Sequence, residues 1–353
     1  MSGQRVLSPA EAAVSALLPQ LAASPALHIQ KIEPIQQIAQ VLVLDEAAYR
    51  RESFLDDRIL RPDSFAVWSP LRQLLSRAPR SGDAPHFIFH QGHTGSTLIS
   101  RLLDAMGAFG VREPAPLTSL AELYDNLDAP HSLYGREEFE ALAAALMHFW
   151  ARRFDAYSTP VVKATSHAGR VGAALLQIAP QARAITLYLK PEPYLAVLLA
   201  GANTPVDLRA FAQERMRRVQ ALGVQSAPLY RLSLGETAAL AWLAERSAHA
   251  GMRAAAGARV LDVDFDGFLA APEPQLAAIA SHFGLDGARA PDALAGPAMR
   301  SYSKAPEHAY SAAVRAEAMQ AARVQHGEEI KRGLAWLETA AQSSAKAAGL
   351  FRS

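Results

Sequence analysis

The chain has 353 residues, half of them hydrophobic and a fifth charged, with a formal net charge of +1. That length suits one large α/β domain or two smaller ones, and the near-neutral balance gives no basis for bulk attraction to nucleic acid or membrane. The absence of cysteine excludes disulfides, thiolate chemistry and Cys-ligated zinc.

The first residues, MSGQRVLSPAEAAVSALLPQL, carry Glu11 and Pro19 inside the apolar run. A secretory segment would be continuous there, so the pattern predicts a capped amphipathic helix starting near Ser8. Residues 1–84 read as a helical N-terminal arm or cap, closed by the loop RAPRSGDAPH. From residue 85 short apolar runs alternate with helical patterns. The expected strands are 85–91, 110–114, 160–164, 184–190 and 259–265. The expected helices between and after them are 96–106, 116–127, 135–153, 168–178, 191–200, 206–222, 236–255 and 273–284. A Pro/Ala/Gly-rich loop follows at 285–307, then a long terminal helix at about 309–342. Such alternation predicts a three-layer α/β/α arrangement, a mainly parallel sheet of about five strands covered by helices on both faces, in residues 85–353. No stretch reaches 18 uninterrupted apolar residues, so no membrane span and a cytoplasmic location are expected.

One stretch carries most of the chemistry. In FIFHQGHTGSTLISRLLDAMG (87–107) an apolar strand runs into Gly92, His93, Thr94, Gly95, Ser96 and Thr97, and a helical pattern follows. That order aims backbone N–H groups and a helix N-terminus at an anion. The alternative is a plain glycine turn with Ser96 or Thr97 as N-cap. A nucleoside-triphosphatase loop would need Gly-Lys-Ser/Thr at its end. Here Gly95 is followed by Ser96, and the residue five before Gly95 is His90, so that pattern fails twice. His90 and His93 lie three apart without a third ligand, and no metal site is expected.

The shorter Gly92-x-x-Gly95-Ser96-Thr97-Leu98 form resembles the loop of sulfotransferases that use 3′-phosphoadenosine 5′-phosphosulfate (PAPS). The likeness continues in order through SRLLDAMGAFGVREP, PVVKATSH, AITLYLKPEPYLAVLLAG, ALAWLAERS and RVLDVDFDGFL, across residues 85–285. The resemblance implies the P-loop form of the three-layer fold, and transfer of a sulfuryl group from PAPS to a hydroxyl or amine of a small molecule. It implies no metal, and the near-neutral charge leaves no nucleic-acid partner expected. Gly92, His93, Thr94, Gly95, Ser96 and Thr97 would hold the 5′-phosphate end. Lys190, at a strand end, would meet the 3′-phosphate with a late loop carrying Arg300, Ser303 and Lys304. Three of only six lysines, Lys163, Lys190 and Lys304, fall in such motifs.

Departures from the family pattern are specific. His93 stands where a loop Lys or Arg is usual, and as an imidazolium it could replace that cation. Leu198 stands where a serine is expected, and Pro191-Glu192-Pro193 replaces Asp-Pro. Glu113 is the expected general base, its alternative being an ion pair with Arg112; His167 is the second base candidate. The rival readings are a nucleotide-binding protein without turnover and a kinase-like phosphotransferase, the latter disfavoured by the absent loop lysine.

Overall fold

The computed structural model describes residues 8–61, 64–78, 83–201, 203–302, 305–309 and 312–352. The helix Pro9–Leu17 begins where expected, with Ser8 as N-cap and Glu11 completing a capping box. Beyond it the chain departs from the expected helical arm. Three antiparallel strands follow, β1 (Leu27–Glu33), β2 (Ile38–Val43) and β3 (Ala66–Pro70), in that order. The helical arm is thereby corrected to a small sheet with short helices. Its cause is a run of β-branched residues, Ile29, Ile32, Val41 and Val43, which favour extended backbone. Gln37, at φ 55°, closes the connection between β1 and β2.

Five parallel strands form the central sheet: β4 (His86–His90), β5 (Ala108–Arg112), β6 (Thr159–Lys163), β7 (Ala184–Tyr188) and β8 (Val260–Asp264). Their order is β5-β6-β4-β7-β8, which puts β4 in the centre. Side chains alternate across each strand, and here both faces are apolar. Phe87 and Phe89 of β4 enter one core with Phe109 and Val162. Ile88 enters a second core with Val161, Ile185 and Leu187. The sheet therefore separates two cores, each covered by helices, in a three-layer α/β/α arrangement. Ile29, Val41 and Leu74 belong to the first core, so the N-terminal sheet packs into the same apolar body as β4.

The terminal helix Ala312–Ser343 lies close to its expected bounds, with non-helical backbone at His326. It crosses the helix Leu234–Ala256 at Gly235, whose N–H donates to Glu329 Oε2 at 2.7 Å. A Cβ on Gly235 would overlap the Glu329 carbonyl oxygen, and one on Gly333 would crowd the Gly235 carbonyl. Two backbones touch here, which only glycine allows. Gly235→Ala is expected to cost about 1–3 kcal/mol by overpacking. A lowered thermal midpoint checks this; an unchanged midpoint contradicts the crossing.

Candidate active site

The turn after β4 is built from left-handed backbone. Gly92, His93 and Gly95 have φ of 88°, 56° and 69°. A Cβ on Gly95 would overlap the ring of Phe265, so glycine is required there twice over. His90 fixes the entry to the turn: its Nδ1 accepts from Gly92 N–H at 2.9 Å, and its Nε2 donates to Ala164 O at 2.9 Å. That pairing uses both ring nitrogens of a neutral imidazole. Gln91 ties the turn to the end of β7, accepting from Leu189 N–H at 3.0 Å, while its carbonyl accepts from Tyr194 O–H at 3.2 Å.

Helix Ser96–Ala105 follows directly. Thr94, Ser96 and Thr97 are buried at its start, and the hydroxyls of Thr94 and Thr97 have no hydrogen-bond partner among the described residues. Buried hydroxyls ordinarily find partners. Both hydroxyls are closed off from solvent, and it is the left-handed backbone of the turn beside them that fits a loop made for an anion.

A cavity of about 350 Å³ opens beside this turn, lined by Gly92 and His93. Glu113, just beyond β5, and Thr165 and Ser166, just beyond β6, line it as well. It thus lies at the carboxyl ends of the parallel strands. The chain leaves β4 toward β5 on one side and later returns to β7 on the other, and α/β sheets place their sites at such a reversal.

Glu113 has φ 51°. Its N–H donates to the Lys163 carbonyl at 2.6 Å, and its carboxylate is ion-paired with the fully buried Lys163 ammonium and lies 3.5 Å from Arg58. Arg112 does not pair with it. Neighbouring side chains leave a strand on opposite faces, and Arg112 turns to Asp104 and, at 3.0 Å, to Ser100 Oγ. Among the described residues three non-glycines have positive φ. Gln37 closes a hairpin; His93 and Glu113 both line this cavity. Strain of this kind concentrates where function over-determines the backbone.

The other expected residues fall elsewhere. Lys190 is exposed, as the residue preceding the helix Pro191–Leu199, and does not line the cavity, whereas Leu198 does. His167 lies outside the lining too. Its ring stacks on Phe211 with centroids 4.1 Å apart, and its Nε2 is 3.4 Å from Thr118 Oγ1. Arg300 is exposed and donates to Ala295 O at 2.9 Å. Ser303 and Lys304 lie outside the described residues. Sequence reasoning missed Arg58, Asp207 and Arg215, all of which line the cavity. Arg215 sits in ERMRRVQ, which reads as a solvated charge run. Among the described residues no group of three or more His, Asp or Glu is placed to hold a metal ion, and no helix is long and apolar enough to cross a membrane.

No protein-family model and no curated protein matches the chain. Similar solved structures include the sulfotransferase domain from the Synechococcus PCC 7002 olefin synthase, at 16% identity over 59% of this chain and 76% of that one, with a TM-score of 0.35. A sulfotransferase domain from the curacin biosynthetic pathway matches at 13% identity over 69% and 98%, with a TM-score of 0.37. Sulfotransferase STF9 from Mycobacterium avium matches at 13% identity over 92% and 97%, with a TM-score of 0.37.

Burial, with Arg170 adding to it, pushes the His167 imidazole down from 6.5 to about 4. His28, His86 and His249 are lowered in the same direction, first by burial. The unfolded chain therefore takes up these protons first. The stability these neutral rings contribute is full above 6.5 and is lost as pH falls, toward about 4 for His167 and His86 and about 3 for His28 and His249. The thermal midpoint is expected to be lower at about pH 5 than at about pH 7, and His167→Phe should narrow that gap. A gap that His167→Phe leaves unchanged contradicts a buried neutral ring at this position.

Proposed function

We propose that the protein is a sulfotransferase that moves a sulfuryl group from PAPS to a hydroxyl or amine of a small molecule. One observation carries this reading: a lysine-free glycine turn, through Gly92 and His93, and the strand-end carboxylate of Glu113 line one cavity, each on left-handed backbone. The absent loop lysine speaks against a nucleoside-triphosphate kinase, whose terminal phosphates need that cation. The ordered set of sulfotransferase-like motifs along residues 85–285 supports the same reading.

In this reading the loop from Gly92 to Thr97 holds the 5′-phosphate end of PAPS, with its backbone N–H groups and the helix N-terminus as donors. His93 supplies the loop's positive charge. Lys190, with Arg300, Ser303 and Lys304, serves the 3′-phosphate. PAPS supplies an activated sulfuryl group. The acceptor oxygen or nitrogen bonds to sulfur as the bond from sulfur to the phosphate oxygen breaks, and the acceptor's proton passes to the Glu113 carboxylate. Lys163 and Arg58 hold that carboxylate at the cavity wall. Negative charge builds on the departing phosphate oxygen, where preorganised donors count most.

A specific observation favours a second reading, nucleotide binding without turnover. Leu198 lines the cavity where related enzymes carry a serine, and His93 replaces the loop cation. Release of 3′-phosphoadenosine 5′-phosphate from PAPS in the presence of an acceptor panel separates the two. Glu113→Gln is expected to lower kcat by about 10²-fold or more, with nucleotide affinity nearly intact. Because Lys163 then loses its counter-charge, both proteins are compared well below their midpoints. Unchanged turnover would move the proton to another group.

A further inference from the structure

The cavity has a second charged cluster that the proton-transfer chemistry does not use. Arg215, on the helix Ala212–Ala221, is 2% exposed and lines the cavity. Its ion-pair partners stand at the outer limit of a hydrogen bond: Asp207 Oδ2 at 3.5 Å and Glu245 Oε1 at 3.5 Å. Its Nη1, closed off from solvent, has no hydrogen-bond partner among the described residues. Phe211 lies 5.4 Å from the guanidinium carbon and helps fix the plane of the group. A buried guanidinium with an unused donor edge is under pressure to find an oxygen acceptor.

From this geometry we infer that Arg215 receives the carboxylate of the acceptor, which is therefore a small hydroxy- or amino-carboxylic acid. A planar carboxylate matches the guanidinium fork. A phosphate dianion would carry more negative charge toward Asp207 and Glu245, which already flank the arginine. Asp207 is itself a cavity-lining residue and competes with the incoming acid for Arg215. A cavity of about 350 Å³ limits the acid to a compact one. The word "acceptor" rests on the sulfuryl-transfer reading; the carboxylate site does not need turnover to be measured.

The test is equilibrium binding of 4-hydroxybenzoate and lactate, each against its methyl ester, by calorimetry without nucleotide. At least one acid should bind about ten-fold tighter than its ester. Arg215→Lys keeps the charge but removes the fork, and should abolish most of that preference. Asp207→Asn removes the competitor and should tighten binding of the acid. No preference for acid over ester in either pair overturns the inference, as does full preference retained in Arg215→Lys. Should Arg215→Lys fail to fold, Asp207→Asn decides alone: tighter acid binding supports the site, and unchanged or weaker binding overturns it. Acids that bind at Arg215 but never accept a sulfuryl group would remove the sulfotransferase reading and leave the carboxylate site standing. Sulfuryl transfer to esters and acids alike would do the reverse.

Discussion

The Lys163 ammonium has no exposed surface, and the open end of the sheet is arranged around giving that charge a partner. A buried charge left unpaired costs about 3–5 kcal/mol, more than most single contacts contribute. Glu113 is the partner because β5 runs parallel beside β6, with Arg112 in register with Lys163. One residue further on, the chain must turn its carboxylate back toward the sheet. It does so on a left-handed backbone that non-glycine residues rarely adopt. Sheet order, buried charge and backbone strain are therefore one constraint seen at three levels. The same arrangement leaves a carboxylate at the mouth of a cavity whose other wall is the turn after β4.

A second network braces the helices around that cavity. Glu245 is wholly buried on the helix Leu234–Ala256. Burial alone would raise its carboxyl, yet Arg218 and Arg215 hold it below the ordinary range. Arg218 also pairs with Glu214, and Arg170 reaches Asp125 at 2.9 Å and Glu214 at 3.8 Å. The helix Ala115–Asp125, the helix Ala212–Ala221 and the long helix Leu234–Ala256 are thus joined through charge in an apolar surround. Networks of this kind stand or fall together, because each member left alone would be an unpaired charge. Arg215 belongs to this network and also faces the cavity, so the scaffold and the pocket share one side chain.

The central sheet was legible because its strands are short, apolar on both faces and separated by helical periods. Phe87 and Phe89 against Ile88 show why no polar alternation marks β4: both sides are core. The N-terminal sheet was obscured by a different balance. Ala-rich and charged stretches around it favour helix, while Ile29, Ile32, Val41 and Val43 carry the extended signal inside only two short runs. The glycine turn could be read at Gly92 and Gly95, where left-handed backbone needs glycine; His93 and Glu113 adopt that backbone without any such mark. Pairing of Glu113 with Lys163 spans fifty residues and depends on strand order, which local sequence does not contain. Arg58 and Arg215 were invisible for the same reason. Arg58 is exposed and Arg215 is buried within a run of arginines, and each is seen to reach the cavity only once the chain around it is placed.

We propose that the turn after β4 binds a phosphorylated nucleotide with His93 as its cation. The most direct measurement is the affinity of 3′-phosphoadenosine 5′-phosphate across the histidine titration range, for the parent protein, His93→Arg and His93→Ala. An anion beside an imidazole favours its charged form, so binding takes up a proton. Parent affinity should fall as pH rises from about 6 to about 8. His93→Arg should bind at least as well with no such dependence, and His93→Ala should bind weakly throughout. Binding by His93→Ala equal to the parent's at every pH would contradict the claim.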